Sequence, residues 1–253
     1  MRDAQLDDAL AITEFLVSLG LAMPEGNEAR KKHWAALWRD NPALKAHGAD
    51  ATLGWVIEAE SRIVGFFGNI PQVSYFDGQP VKVSSARAWA VHKDHRDQTP
   101  RLCEAFFGQK GADVVLISSA SAPAGKRCLE FGGSPLPQPG YGEILYWVLD
   151  AGGFLRAGLR KKGHGGMAVW VGGILGAVAL NAKMRLTGRR PFAPLQDVTP
   201  ITVEEIDDAF DDLWARKLKE GRGRLLAARD AETLKWYFGL SQQSPETRVL
   251  CCR

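Results

Sequence analysis

Cysteine is scarce in this chain. The four present, Cys103, Cys128, Cys251 and Cys252, fall at spacings that fit neither a zinc site nor a disulfide framework. Neighbours such as Cys251 and Cys252 rarely bridge. This usage points to a reducing, cytoplasmic compartment. The opening residues, MRDAQLDDAL, are acidic and polar, the reverse of a secretory leader. An excess of one charge is also missing, because a formal net charge of +3 is too small to indicate nucleic-acid binding. No tandem repeat or low-complexity tract occurs. Glycine is absent from VHKDHRDQTPRL, residues 91–102, which nonetheless holds two His, two Arg and a Lys.

What is present is an ordinary globular composition. Hydrophobic residues at 45% and charged residues at 24% suffice for a buried core. Residues 7–20 space Leu10, Ile12, Phe15, Leu16 and Leu19 as an amphipathic helix that stops at Gly20. Residues 26–39 predict a second helix with Trp34, Leu37 and Trp38 on one face. Three β-rich runs follow at 53–59, 62–76 and 80–91, separated by Glu60-Ser61 and Asp77-Gly78, and they read as an antiparallel meander. A helix over 99–110, a strand over 113–119, a helix over 122–133 and a strand over 141–150 complete an α-α-β-β-β-α-β-α-β order.

Beyond residue 150 the texture changes. An apolar stretch of about 16 residues (165–180) is flanked on both sides by basic residues. It is shorter than the ~20 residues of a typical membrane span. A packing helix, a helix lying in a membrane interface and a span are the three readings, and peripheral membrane contact through 165–185 follows from the second. Residues 189–200 resemble a linker, and the charged stretch from Glu204 to Gly239 is helical. TRVLCCR begins like a strand with no partner. The expected division is therefore 1–150 as the principal domain, 151–197 as an apolar helical connector and linker, and 198–253 as the start of a second domain cut short.

The glycine-free stretch lies between a strand ending at Val91 and a helix starting near Thr99. Thr99 suits an N-cap, and Pro100 suits the first helical turn. Free amides and a partial positive charge at a helix N-terminus attract anions, and Arg96 and Arg101 flank this one. A solvated basic loop is the plainer alternative. Tyr75, Trp89, Tyr141 and Trp147 read as core residues before groove residues.

In its order of elements, and in the meander WVIEAESRIVGFFG, the chain resembles the GNAT superfamily of acyl-CoA-dependent N-acetyltransferases over residues 1–150. The resemblance implies an α+β fold, with a central, mostly antiparallel twisted sheet flanked by helices and here followed by a helical C-terminal extension. The family's phosphate-binding turn reads Arg/Gln-x-x-Gly-x-Gly/Ala. Arg96 matches it, while Thr99 and Arg101 replace the small residues and Pro100 removes one N–H. GQKG at 108–111 is similar to a divergent branch. The second family motif, Asn-x-x-Ala-x-x-x-Tyr-x-x-x-Gly-Phe, falls on Ser121, Ala124, Cys128, Gly132 and Gly133.

The resemblance thus implies acetyl-CoA or another acyl-CoA as co-substrate, held by Val91, Arg96, Asp97, Gln98, Thr99, Arg101 and Ser121. The backbone around Ala90 to His92 would hold the acyl carbonyl and pantetheine. Cys128, at the Tyr position, is either the acid for the leaving thiolate or a small core residue. The candidates for the general base are Glu58, Glu143, His92 and His95, with Glu58 first among them. No metal is called for, and the acceptor is a small-molecule or peptide amine. The alternative function is a GNAT-like module that binds but no longer transfers.

Overall fold

The computed structural model describes residues 1–48, 51–136, 148, 150–187, 198–240 and 249–252. These divide into two units, 1–135 with 200–251, and 136–199 with 252–253. The first unit is a mixed α/β fold with a mostly antiparallel sheet between helices. Its elements begin with β1 (Arg2–Asp3), α1 (Ala9–Ser18), α2 (Asn27–Trp38) and α3 (Leu44–His47). The meander follows as β2 (Gly54–Ala59), β3 (Arg62–Phe76) and β4 (Gln79–Val91), close to the expected bounds. Then come α4 (Thr99–Phe107), β5 (Val114–Leu116) and α5 (Ala122–Glu130). The strand expected over 141–150 lies outside the described residues, apart from residues 148 and 150.

Period-two alternation builds two cores on the sheet's two faces. Val56 pairs with Phe66 and Trp55 with Phe67 in the β2–β3 ladder, so each pair faces one side. Val56 and Phe66 meet Ile12, Leu16, Trp34 and Trp38 of α1 and α2. Trp55 and Phe67 meet Leu102 and Phe106 of α4. Both connections in the meander are two-residue turns with positive φ at each central residue, Glu60 and Ser61 at 49° and 59°, Asp77 and Gly78 at 50° and 79°. That backbone matches the twist of the strands it joins.

β3 outruns β2, and its outer edge is closed by other means. Trp38 Nε1 donates to Asn69 O at 3.2 Å, and Asn41 Nδ2 donates to Pro71 O at 2.8 Å. Further along, Ala228 N donates to Val73 O at 2.9 Å, and β7 (Leu225–Ala227) pairs with residues 74–76 of β3. Pro71 brings no N–H to an edge that has no ladder partner there, which is where a strand tolerates proline.

Residues 200–251 therefore join the first unit instead of standing apart. Along the chain β6 (Val198–Ile201) and α8 (Asp208–Glu220) precede β7, and α9 (Ala231–Gly239) and β8 (Val249–Cys252) follow it. α9 docks through Trp236, whose Nε1 donates to Ala36 O at 2.7 Å. Trp214 of α8 meets Tyr75 edge-on at 5.8 Å. The closing run, expected as an unpaired strand, pairs as β8 with β6. In the second unit α6 (Ala151–Lys161) and α7 (Gly166–Leu186) form an antiparallel hairpin.

β4 carries a bulge. Its register to β3 shifts between Phe66↔Ala90 and Gly68↔Arg87, and Ala88 adopts φ 52°. The extra residue turns Trp89 onto the α4 face, where its ring stacks on Phe67 at 5.0 Å and 7°. Gly68 opposes the bulge, and a Cβ there would lie 2.5 Å from Arg87 O and 2.8 Å from Phe66 Cζ. Gly68→Ala is expected to lose about 1–3 kcal/mol in urea unfolding, as overpacking does. A variant as stable as the parent would mean that the bulge does not close on residue 68.

Candidate active site

The parallel ladder between β4 and β5 is short. It covers Val83↔Val114, Ser84↔Val115 and Ser85↔Leu116, extended by Asp113 N donating to Lys82 O at 2.8 Å. Past Ser85, β4 continues for six residues while β5 has ended. At about 3.3 Å per residue, this leaves roughly 20 Å of strand edge without a ladder partner on the β5 side among the described residues. His92 N donates to Val64 O on the β3 side. Alternation along the strand then turns the N–H and C=O of Val91 toward the opening. The arrangement offers an extended amide-bearing molecule a strand edge, with the bulge beside it.

The chain above the opening departs from the expected cradle. Residues Lys93–Gln98 form a 3-10 stretch that runs straight into α4. Thr99 is helical, and its N–H donates to Arg96 O, so Thr99 is not the N-cap and its amide is occupied. Pro100 has no N–H to give. Gln98 Nε2 donates to Asp97 Oδ2, and Arg101 Nη1 donates to Gln98 Oε1 at 2.9 Å. Asp97, Gln98 and Arg101 thus form a surface chain. Arg96 is exposed and makes no side-chain hydrogen bond or ion pair among the described residues. The carboxylates of Asp94 and Asp97 dilute the positive charge of Lys93, Arg96 and Arg101.

Two imidazoles stand at the mouth of the opening, with ring centroids 6.1 Å apart. His92 Nδ1 accepts from Asp94 N at 3.4 Å. The Asp94 carboxylate lies 3.6 Å from the same nitrogen, so the Nδ1 side of this ring is occupied by Asp94. His95, at a break in the 3-10 stretch with φ −123° and ψ 19°, makes no such bond among the described residues.

Glu58, the base candidate read from the sequence, sits elsewhere. Arg2 Nη2 donates to its Oε1 at 2.7 Å and Arg2 Nε to its Oε2 at 3.3 Å, while Arg2 also clamps Asp8. The guanidinium holds the Asp8 carboxyl below the ordinary carboxylate range. β3 lies between Glu58's strand and β4, placing Glu58 two strand spacings, about 10 Å, from the opening. Its carboxylate ties β2 to the N-terminal segment.

Ser121 caps α5, its Oγ accepting from Ala124 N at 3.4 Å, which is the role its position before Ala-Pro-Ala suggests. Cys128 is half-buried on α5, and burial pushes its thiol up, so it stays protonated at neutral pH. Glu143, Tyr141 and Trp147 lie outside the described residues. Tyr75 and Trp89 are half-buried, packed against Trp214 and Phe67 respectively.

Sequence reasoning missed His33 and Arg87. His33 Nε2 is buried without a hydrogen-bond partner among the described residues. Burial, and then the Arg87 charge, hold the ring's pKa below the usual imidazole range. The bulge places Arg87 and Ala88 in succession on the α2 face, and no pattern in SSARAWAV announces that step. A cavity of about 460 Å³ lies away from the opening, lined by Asp3, Gln5, Thr52, Trp55, Gln109 and Lys110 among others. It does not coincide with the β4–β5 opening. Among the described residues no three His, Cys, Asp or Glu side chains are grouped to hold a metal.

Cys103, buried in α4, has its thiol pushed up to about 11 from 9.0, by burial first and then by Cys128. Below pH 9.0 folded and unfolded chains both keep this proton. As pH climbs toward 11, the unfolded chain releases it while the folded chain does not, so this contribution to stability fades. Urea midpoints measured through that range should fall more steeply for the parent than for Cys103→Ser. Equal slopes would remove the assignment.

No family model matches the chain, and no curated protein sequence does. Among solved structures it is similar to an acetyltransferase of Trypanosoma brucei, with 18% identity, a TM-score of 0.41, and coverage of 58% of this chain and 97% of that chain.

Proposed function

We propose that the first unit is an acyl-CoA-dependent N-acyltransferase of GNAT type, with acetyl-CoA as donor and a small-molecule or peptide amine as acceptor. The observation that carries this reading is the opening between β4 and β5, bordered by the bulge at Ala88 and by the outward-turned backbone of Val91. An extended pantetheine arm has amide groups that pair with such an edge as a strand would. Val91 N–H would then donate to the thioester carbonyl oxygen.

In this reading the acceptor nitrogen attacks the thioester carbon, and a C–N bond forms while charge gathers on the oxygen facing Val91. The C–S bond breaks as the carbonyl is restored. His95 takes the amine proton, because His92 is engaged and Glu58 is held by Arg2 on the far side of β3. Cys128 returns a proton to the leaving thiolate, a role suited to a thiol that stays protonated. Arg96, uncommitted and exposed, is the cation for the coenzyme's phosphates, and Lys93 and Arg101 lie within the same nine residues.

A second reading has its own observation. The occupied amide of Thr99, the missing N–H of Pro100 and the nearby Asp97 carboxylate favour a module that binds a partner but no coenzyme. Calorimetric titration with acetyl-CoA separates the two. The enzyme reading expects saturable binding that Arg96→Ala weakens by about tenfold or more. It also expects His95→Gln to lower kcat about a hundredfold. A folded protein that ignores the coenzyme would establish the second reading in place of the first.

A further inference from the structure

The second unit holds a feature that acyl transfer does not use. α7 is 21 residues long, about 31 Å at 1.5 Å per residue, with a mean hydropathy of 1.5 in its most apolar window, of which only 11% is buried. It is long and apolar enough to cross a membrane, by length and composition. Met167, Trp170, Val171, Ile174, Leu175 and Val178 are each between 41% and 80% exposed. They recur at intervals of three and four residues and so form one continuous stripe.

The opposite side of α7 is occupied. Gly172, Gly173 and Gly176 face α6 so closely that added Cβ atoms would lie 2.9 Å from Leu159 Cδ1, 2.5 Å from Arg156 Cγ and 2.8 Å from Leu155 Cδ1. These contacts fix which side of α7 is left outward.

Beyond Asp150, which stands at the N-cap of α6 4.0 Å from Arg156, the charge of the hairpin is of one sign. Residues 151–187 contain no Asp or Glu, but they contain Arg156, Arg160, Lys161, Lys162, Lys183 and Arg185. Arg160, Lys161 and Lys162 gather at the α6–α7 turn and Lys183 and Arg185 at the far end of α7, bracketing the stripe, while Arg156 lies between them beside Gly173. An apolar stripe between two cationic ends complements a surface of acyl chains under anionic headgroups. It does not complement a second copy of itself, since two such hairpins would oppose like charges.

The packing also selects the orientation. Were α7 to span a bilayer, Arg156 beside Gly173 would lie about 12 Å along the helix, inside the hydrocarbon, where a cation is strongly disfavoured even with the Asp150 carboxylate 4.0 Å away. With the hairpin flat, the stripe reaches the acyl chains while the cations stay at headgroup depth.

We propose that the α6–α7 hairpin lies in the plane of an anionic phospholipid membrane, with its Met167-to-Val178 stripe inserted and its Lys and Arg side chains on the headgroups. The cytoplasmic leaflet is the anionic surface that a cytoplasmic protein meets.

The test is sedimentation of the full chain with phosphatidylcholine vesicles, with or without about 30% phosphatidylglycerol, at about 0.1 M and about 1 M salt. The chain is expected to pellet with the anionic vesicles, less at high salt, and little with the neutral ones. The double variant Leu175→Glu, Val178→Glu should bind at least about tenfold more weakly. The exposed triple variant Arg160→Ser, Lys161→Ser, Lys162→Ser should also weaken binding and flatten its salt dependence. Thermal melts by circular dichroism identify variants that fail to fold, and the triple variant changes only exposed side chains. Alkaline carbonate should release the bound chain. Four results would overturn the proposal: no pelleting with any vesicle, binding unchanged in both variants, self-association that Leu175→Glu abolishes in the absence of lipid, or retention after carbonate, which would indicate a span.

Discussion

The β3 strand is the member on which the rest of the first unit depends. Its two consecutive phenylalanines point to opposite faces, and each is fully buried. Phe66 lies edge-on to Trp34 and Trp38, at 5.6 Å and 6.4 Å. Phe67 is stacked between Trp89 and Phe106, at 5.0 Å and 4.3 Å. Burying a phenylalanine contributes roughly 1.5–3 kcal/mol, and truncating one to alanine costs about 3–5 kcal/mol. Two adjacent residues therefore hold α1 and α2 to one side of the sheet and α4 to the other. A one-residue slip in register would exchange the faces and empty both cores.

That constraint also positions the candidate site. Phe67 can be sandwiched only if Trp89 reaches the α4 face, and the bulge at Ala88 is what brings it there. The same bulge sets the phase of the last residues of β4, so that His92 bonds to Val64 and Val91 turns outward. Core packing on one side of β4 and an open backbone on the other thus have one origin. The polar residues around the opening are arranged less tightly. Arg96 and His95 are uncommitted, whereas Glu58, Ser121 and Gln98 are engaged in structural hydrogen bonds.

The meander was legible because its strands alternate and its turns fall on polar pairs. The helices of α1, α2 and α4 were legible because their apolar residues repeat at helical intervals. β1 and β7, at two and three residues, are too short for any period to register, and only their pairing with β2 and β3 defines them. For that reason residues 198–253 read as a separate domain, although β7, Trp214 and Trp236 fasten residues 200–251 to β3 and α2. In the candidate site, the strand-to-helix step after Val91 was legible from residue types. The 3-10 geometry that occupies the Thr99 amide was not, because it depends on backbone angles that Asp, His and Arg adopt as readily as others. The ion pair that withdraws Glu58 joins residues 56 positions apart, beyond the reach of local pattern.

The outer edge of β3 has a consequence for the order in which the chain is made. β7 follows β3 by roughly 150 residues, and at roughly 5–20 residues per second a ribosome needs about 8–30 s to supply it. Through that interval the nascent first unit has α1, α2 and α3 and completes its meander, but has no strand to cover residues 74–76. Just upstream, Trp38 and Asn41 already occupy the carbonyls of Asn69 and Pro71, and Pro71 offers no donor. A stray strand from a neighbouring nascent chain would find little continuous backbone to grip. The edge is guarded by residues translated before it, long before its own partner emerges.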